Sequence, residues 1–289
     1  MVVLAAAFWW SGCAKPDSHG EFDEIIVFAD STDWLEYQDH FKAIFARLIK
    51  TPVLEPEYVL SWKSFDRFEQ FKQFRNIFFI ARLDADLPVS SEVKHLLSPE
   101  IVAGIRSGKY FYIPKKDVWA NDQYVCFFVA PSREAMIQRI YDLGKLAYDD
   151  FERYYYDRLY RFMYRRYENT DLERYLKDHF PFSLRVQHDY FVADENLQRG
   201  YVWLRRLDPD RSLTVHWLPL ADSVQLSYNW VVKERNRLAG WIYEGDVVVE
   251  AETTHRPIRF LGMPALRIEG TWKNPKYVIG GPFRTVAFA

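Results

Sequence analysis

Cysteine is scarce in this chain, and neither sign of charge prevails. Cys13 and Cys126 are the 2 Cys in 289 residues, too few for the disulfide framework of a small stapled scaffold. Lys and Arg number 38 against 40 Asp and Glu, a formal charge of -2 with a pI near 6.4. No summed basic field is available to draw in phosphate backbones, so nucleic acid is not an expected partner. Apolar runs are short: none reaches the roughly 20 residues of a spanning helix. Glycine is sparse as well, and no GxSxG, GxxxxGK[ST] or GxGxxG occurs, nor any HExxH among the seven His. The common serine-hydrolase, phosphate-loop, dinucleotide and zinc-protease signatures are therefore missing, and no metal or cofactor is implied.

What the chain has in quantity is aromatic surface. Aromatic residues make up 18%, with 10 Trp, 19 Tyr and 22 Phe, against 49% hydrophobic and 27% charged residues overall. That is the composition of a globular body long enough for one large or two small domains, with rings to fill its core.

The opening is apolar from Val2 to Trp10, followed by Ser11, Gly12 and Cys13. A run this short matches the apolar core of a signal peptide, and small residues before a Cys resemble a lipobox, with Trp10 where Leu is usual and no Lys or Arg before the run. On this reading 1–12 is a signal peptide, Cys13 is lipidated, and 13–22, polar and rich in turn formers, is a tether. Several acyl chains would hold such a protein firmly where one would not. The alternative places Cys13 in a buried N-terminal strand. Cys126, in the apolar run QYVCFFVA, reads as a small core residue.

The body alternates strands and helices. EIIVFAD (Glu24 to Asp30) is a strand, Ser31 or Thr32 caps a helix carrying Trp34, Phe41 and Phe45, and Glu57 to Trp62, Ser64 to Phe74 and Asn76 to Leu83 continue as strand, helix, strand. Residues 84–117, punctuated by prolines, read as a connecting region. Gln123 to Ala130 is a strand, and Ser132 caps a long helix to about Tyr167 that resumes after a break near Asn169. Strands are expected at Ser183 to Gln187 and in a hairpin from Gly200 to Leu218 around DPDR, then a helix from Asp222 to Leu238. LRIEGTWKNPKYVIGGPFRTVAFA reads as two strands joined through Asn274 and Pro275. The expected class is α+β, with mixed sheets and packed helices, in two ferredoxin-like halves joined by the long helix: 23–130, 131–180 and 181–289.

Candidate chemistry is thin. YDDFERYYYDRLYRFMYRRY (Tyr148 to Tyr167) could stack on bases or sugars, but its Arg residues are nearly balanced by Asp and Glu. A helix on a sheet with intrahelical ion pairs accounts for it. His188, His216 and His255 show no ligand spacing.

Together the lipobox-like start, EIIVFAD and its helix near Trp34, FRNIFF, WANDQ, YVWLRR, the helix with Arg235 and EGTWKNPKYVIGGPF resemble an uncharacterised family of bacterial envelope lipoproteins, a domain of unknown function seen mainly in Bacteroidetes-type bacteria. The resemblance implies a lipid-anchored envelope protein with no assigned activity, cofactor or catalytic residue. Ala14 after the Cys, in place of the Asp that retains lipoproteins at the inner membrane, implies an outer-membrane address facing the periplasm. Two functions are weighed. One is a binding or assembly module for an envelope protein or glycan, with Arg75, Asn76, Arg205, Arg206, Arg235 and Trp272 as candidate contacts. The other is an envelope hydrolase acting on glycan or peptide through scattered carboxylates or His, for which paired carboxylates about 5 to 10 Å apart would be needed.

Overall fold

The computed structural model describes residues 15–50, 54–165, 168–219 and 226–289. Cys13, the apolar run before it and the expected helix start at Asp222 lie outside the described residues. The chain divides into two compact units, one taking residues up to 47 and 56–159, the other 48–55 and 160–289. No helix among the described residues is long and apolar enough to cross a membrane.

Elements run in the order β1 (Glu24–Ala29), α1 (Ser31–Phe45), β2 (Leu48–Lys50), β3 (Leu54–Pro56), β4 (Val59–Lys63), a 3-10 turn (Phe65–Arg67), α2 (Phe68–Phe71), β5 (Asn76–Arg82), α3 (Pro88–Leu96), α4 (Pro99–Arg106), β6 (Tyr112–Lys116), β7 (Tyr124–Ala130) and α5 (Arg133–Arg165). The sheet of the first unit has the order β4-β1-β5-β7-β6. Its first four strands are parallel, and only β6 runs against its neighbour β7. Strands β1, β5 and β7 are apolar on both faces because both faces are covered. Ile25, Val27, Phe78, Ile80, Cys126 and Phe128 pack against α1 and α5. Ile26, Phe28, Phe79, Val125 and Phe127 pack against α3, α4 and the phenylalanines of the α2 region.

The class is α+β, as expected, and α5 lies in the chain between two sheet-rich halves. The ferredoxin-like comparison does not hold for the first sheet. A ferredoxin-like sheet is antiparallel with one face covered, and its strands would alternate apolar and polar residues, whereas these are continuous apolar runs that need helices on both sides.

Residues 15–22, within the expected tether, are hydrogen-bonded to the body. Ser18 N–H donates to Asn121 O, His19 N–H to Gln73 O, and Arg75 N–H to His19 O, at 2.9 to 3.1 Å. Asn121 also donates to Pro16 O and Lys15 O, both at 2.8 Å. Turn formers and polar residues serve as well for a segment that crosses strand ends, where backbone groups seek partners.

The second unit continues with α6 (Thr170–His179), β8 (Phe191–Asn196), β9 (Tyr201–Leu207), β10 (Asp210–His216), α7 (Tyr228–Ile242), β11 (Val247–Val248), β12 (Thr254–Phe260), β13 (Met263–Lys273) and β14 (Gly280–Phe288). The break before α6 is where Asn169 accepts from Leu172 N–H at 3.1 Å, a side-chain cap. β8, β9 and β10 form an antiparallel meander over Leu176, Phe180, Val186, Val202 and Leu204. β13 pairs with β12 and β14, and its sheet packs on α7 through Val231, Val232, Val248 and Ile268.

Candidate functional site

Open α/β sheets hold ligands in a crevice at the carboxyl ends of their strands, where strand order reverses. In the first unit that place is the end of β1, which has β4 on one side and β5 on the other. It is occupied by the chain's own ion pairs. The buried Asp30 carboxylate accepts from Val89 N–H at 2.9 Å, Ser90 N–H at 3.1 Å and Ser90 Oγ–H at 2.9 Å, so it caps α3 from outside that helix. Arg82 Nε donates to both oxygens of buried Asp33 at 3.1 and 3.2 Å, and Arg82 Nη1 to Asp84 at 3.0 Å. Burial alone would lower the Arg82 pKa, but its bond to Asp33 and the nearby carboxylates raise it. Among the described residues no group of three or more His, Cys, Asp or Glu is placed to hold a metal ion.

The opposite end of the sheet gathers two of the sequence candidates. Asn76 is fully buried; its Nδ2 donates to Phe22 O at 2.9 Å and Glu24 O at 2.8 Å. Its Oδ1 accepts at 2.7 Å from Arg158, which is 2% exposed and also donates to Arg75 O and Asp122 O. Burial brings the Arg158 guanidinium down to about 10, and its Nε finds no partner. Arg75 lies over the Phe22 ring at 4.4 Å and donates to Gly20 O at 2.9 Å. Arg75 and Asn76 thus fasten the N-terminal segment to the sheet. Arg158, one member of a helix whose charges balance in sequence, is the buried member that sequence reasoning missed.

A groove between α1 and α5 has a volume of about 260 Å³ and is lined by His40, Ala43, Ile44, Arg47, Ile140, Tyr141, Lys145 and Tyr148. The helices approach closely at Gly144, where an added Cβ would come within 2.3 Å of Ile44 Cδ1. Arg47 stacks on the Tyr148 ring at 4.1 Å and grips Glu57 at 2.8 and 3.1 Å. Tyr148 donates to Glu57 or Glu152, at 2.8 and 2.9 Å. Burial first, then the bonds to those carboxylates, raises the Tyr148 pKa well above the usual tyrosine value, so its hydroxyl stays a donor. Tyr141 is exposed at 70% and touches His40. The lining offers the rings of Tyr141 and Tyr148, the latter covered on one face by Arg47, and two cations already paired, Arg47 with Glu57 and Lys145 with Asp149 at 2.5 Å. Its sequence signal is the stripe 140, 141, 144, 145, 148 at helical spacing, with a glycine at its centre.

In the second unit the remaining candidates are dispersed. Arg205 pairs with Asp210 at 2.7 and 3.0 Å, while Arg206 reaches Gln187 and Asp189 at 3.4 Å and Pro209 O at 3.2 Å. Arg235 lies on the Phe283 ring at 4.4 Å; its Nη1 is buried without a hydrogen-bond partner, and burial lowers its pKa against the opposing pull of Asp246 and Tyr243. Trp272 covers Gly281, whose added Cβ would stand 3.1 Å from the indole Nε1. His216 bonds Gly200 O at 2.6 Å and Glu234 at 2.8 Å, and His255 lies 4.7 Å from the Tyr228 ring.

No curated protein and no solved structure matches the chain. Two family models do: residues 169–289 match a domain of unknown function, DUF4837, and residues 18–164 match another, DUF8532. Since the second match covers half of its length, the chain belongs to the DUF8532 family of domains of unknown function.

Proposed function

We propose that this protein is a bacterial, Bacteroidetes-type envelope lipoprotein, anchored through Cys13 and facing the periplasm, and that its body is a binding module for an envelope glycan. The anchor rests on the apolar run and the small residues before Cys13. The binding role rests on the groove between α1 and α5. Tyrosine faces suit the C–H faces of sugar rings, and Arg47 and Lys145, paired at the groove's edge with Glu57 and Asp149, keep further N–H donors for a sugar carboxylate, while the polar groups of the crevice where α/β sheets usually hold ligands are buried in internal pairs. Arg47 is already oriented by Glu57, so little side-chain freedom is lost on binding.

Titration with acidic oligosaccharides of the envelope, followed by amide chemical shifts, is expected to move signals around His40, Tyr141 and Lys145. A Tyr141→Ala/Lys145→Ala variant, altered at two exposed side chains, is expected to bind at least about tenfold more weakly, the loss of one stacked ring and one charge-assisted bond. Shifts elsewhere, or equal binding by the variant, would remove the groove as the site. Cell fractionation tests the anchor separately: Cys13→Ala should move the protein from the membrane to the soluble fraction.

A further inference from the structure

We infer that the hairpin tip between β13 and β14 is a lipid-contacting element that dips into an anionic bilayer surface. The tip presents Tyr277 and Ile279, more than half exposed, and Val278, fully exposed. Loops usually turn polar residues outward, and apolar side chains grouped in water mark a contact surface.

The presentation is built. Asn274 is buried, its Nδ2 donating to buried Asp246 at 2.8 Å. Its Oδ1 accepts from Lys276 N–H at 2.8 Å and Tyr277 N–H at 3.0 Å, and its own N–H donates to Ile279 O at 3.0 Å. On the returning strand Gly280 and Gly281 pass under Trp272, too close for a side chain at Gly280, where an added Cβ would lie 2.6 Å from Trp272 O. The turn is thereby held from both sides while its apolar residues point away from the body.

Charge and shape choose the occupant. From Gly270 to Ala289 the sequence carries Lys273, Lys276 and Arg284 and no Asp or Glu. Arg284 is paired with Glu269, which leaves the two lysines beside the tip. Tyrosine sits well at the headgroup level, aliphatic side chains below it, and lysines against anionic headgroups. The tip is convex, and a bilayer accommodates a convex wedge that a protein partner could receive only in a matching cavity. The inference does not depend on the anchor at Cys13.

The test uses the full chain carrying Cys13→Ala, so that no acyl chain contributes, sedimented with vesicles of phosphatidylethanolamine and phosphatidylglycerol at low salt. Co-sedimentation is expected, falling at least about tenfold for Val278→Asp and further for Tyr277→Ser/Val278→Asp/Ile279→Ser, because each exposed apolar group lost weakens insertion. Lys273→Gln/Lys276→Gln should lose binding selectively on anionic vesicles. Leu261→Asn, which removes another exposed apolar side chain in the turn between β12 and β13, where φ is 51°, should bind as the parent does. A parent chain that stays in the supernatant, or tip variants that sediment with it, would overturn the inference. Self-association abolished by Val278→Asp without vesicle binding would also overturn it, assigning the tip to a protein contact.

Discussion

Arg158 shows how a single residue can mislead a count of charges. In sequence it belongs to a balanced set of Arg, Asp and Glu on one helix, but its guanidinium is buried against Asn76, Arg75 O and Asp122 O. Two substitutions should separate its effects. Arg158→Met removes the charge and its desolvation cost together and leaves buried acceptors short of a donor, which costs about 1–3 kcal/mol. Asn76→Ala leaves the charge buried without its side-chain acceptor and frees Phe22 O and Glu24 O, which costs about 3 kcal/mol or more. Urea unfolding of the two variants and their double is expected to rank Asn76→Ala as the worse and to show strong non-additivity. Equal costs that simply add would mean that the pair is not coupled. Loss of ligand capture by Asn76→Ala at unchanged stability would instead mark Asn76 as a contact.

Among the elements, α3 depends on a residue far away in sequence. Asp30 sits at the N-cap position of α1 but makes no side-chain cap there; its carboxylate serves Val89 and Ser90 instead. A carboxylate at a helix N-terminus satisfies unpaired N–H groups and complements the helix dipole. Asp30→Ala is expected to cost about 2–4 kcal/mol, since two backbone donors and a hydroxyl are left buried, and Asp30→Asn roughly half of that because one oxygen acceptor remains. Hydrogen exchange should show the loss first in α3; unchanged exchange there would refute the remote cap. This arrangement also explains why the region was illegible. Pro88 and Pro99 read as loop punctuation but begin α3 and α4, where a missing N–H costs nothing. The apolar strands β1, β5 and β7, the hairpin of β9 and β10 and the turn at Asn274 were readable because their signals are local. The strand expected at Ser183 to Gln187 makes only an isolated bridge of Gln187 with Glu168, while the polar, exposed β8 carries no apolar alternation to announce it. The groove was hidden because Arg47, just past the end of α1, and Tyr148, on α5, stand far apart in sequence and meet only through the packing of those helices at Gly144 and around Phe45.

At the scale of the molecule, the two units differ in where their depressed carboxylates lie, and acid should tell them apart. The first has a thick aromatic core, and its depressed carboxylates, Asp86 and Glu134, stand in solvent, where screening leaves them little weight. The second has thinner cores and, like the first, Arg–carboxylate contacts, but there two partly buried carboxylates are held low. Glu234 is pushed up by burial but held below its usual value by Arg237 and His216, and Glu269 likewise by Arg267 and Arg284. Arg185 also holds Glu168 low and Arg205 holds Asp210 low, but these two stand in solvent and, like Asp86 and Glu134, carry little weight. A carboxylate whose folded pKa is depressed contributes stability that is present above its unfolded value, near 4.5 for Glu and near 3.8 for Asp, and lost as pH falls through the folded one. Lowering the pH from about 6 to about 3 is therefore expected to unfold the second unit first, with amides of β9, β10, α7 and β13 exchanging while those of β1, β5 and β7 stay protected. Glu234→Gln and Glu269→Gln should each lower stability at neutral pH and flatten its fall in acid. Simultaneous loss of both units, or earlier loss of the first, would show that the ion pairs of the second unit do not set its acid stability.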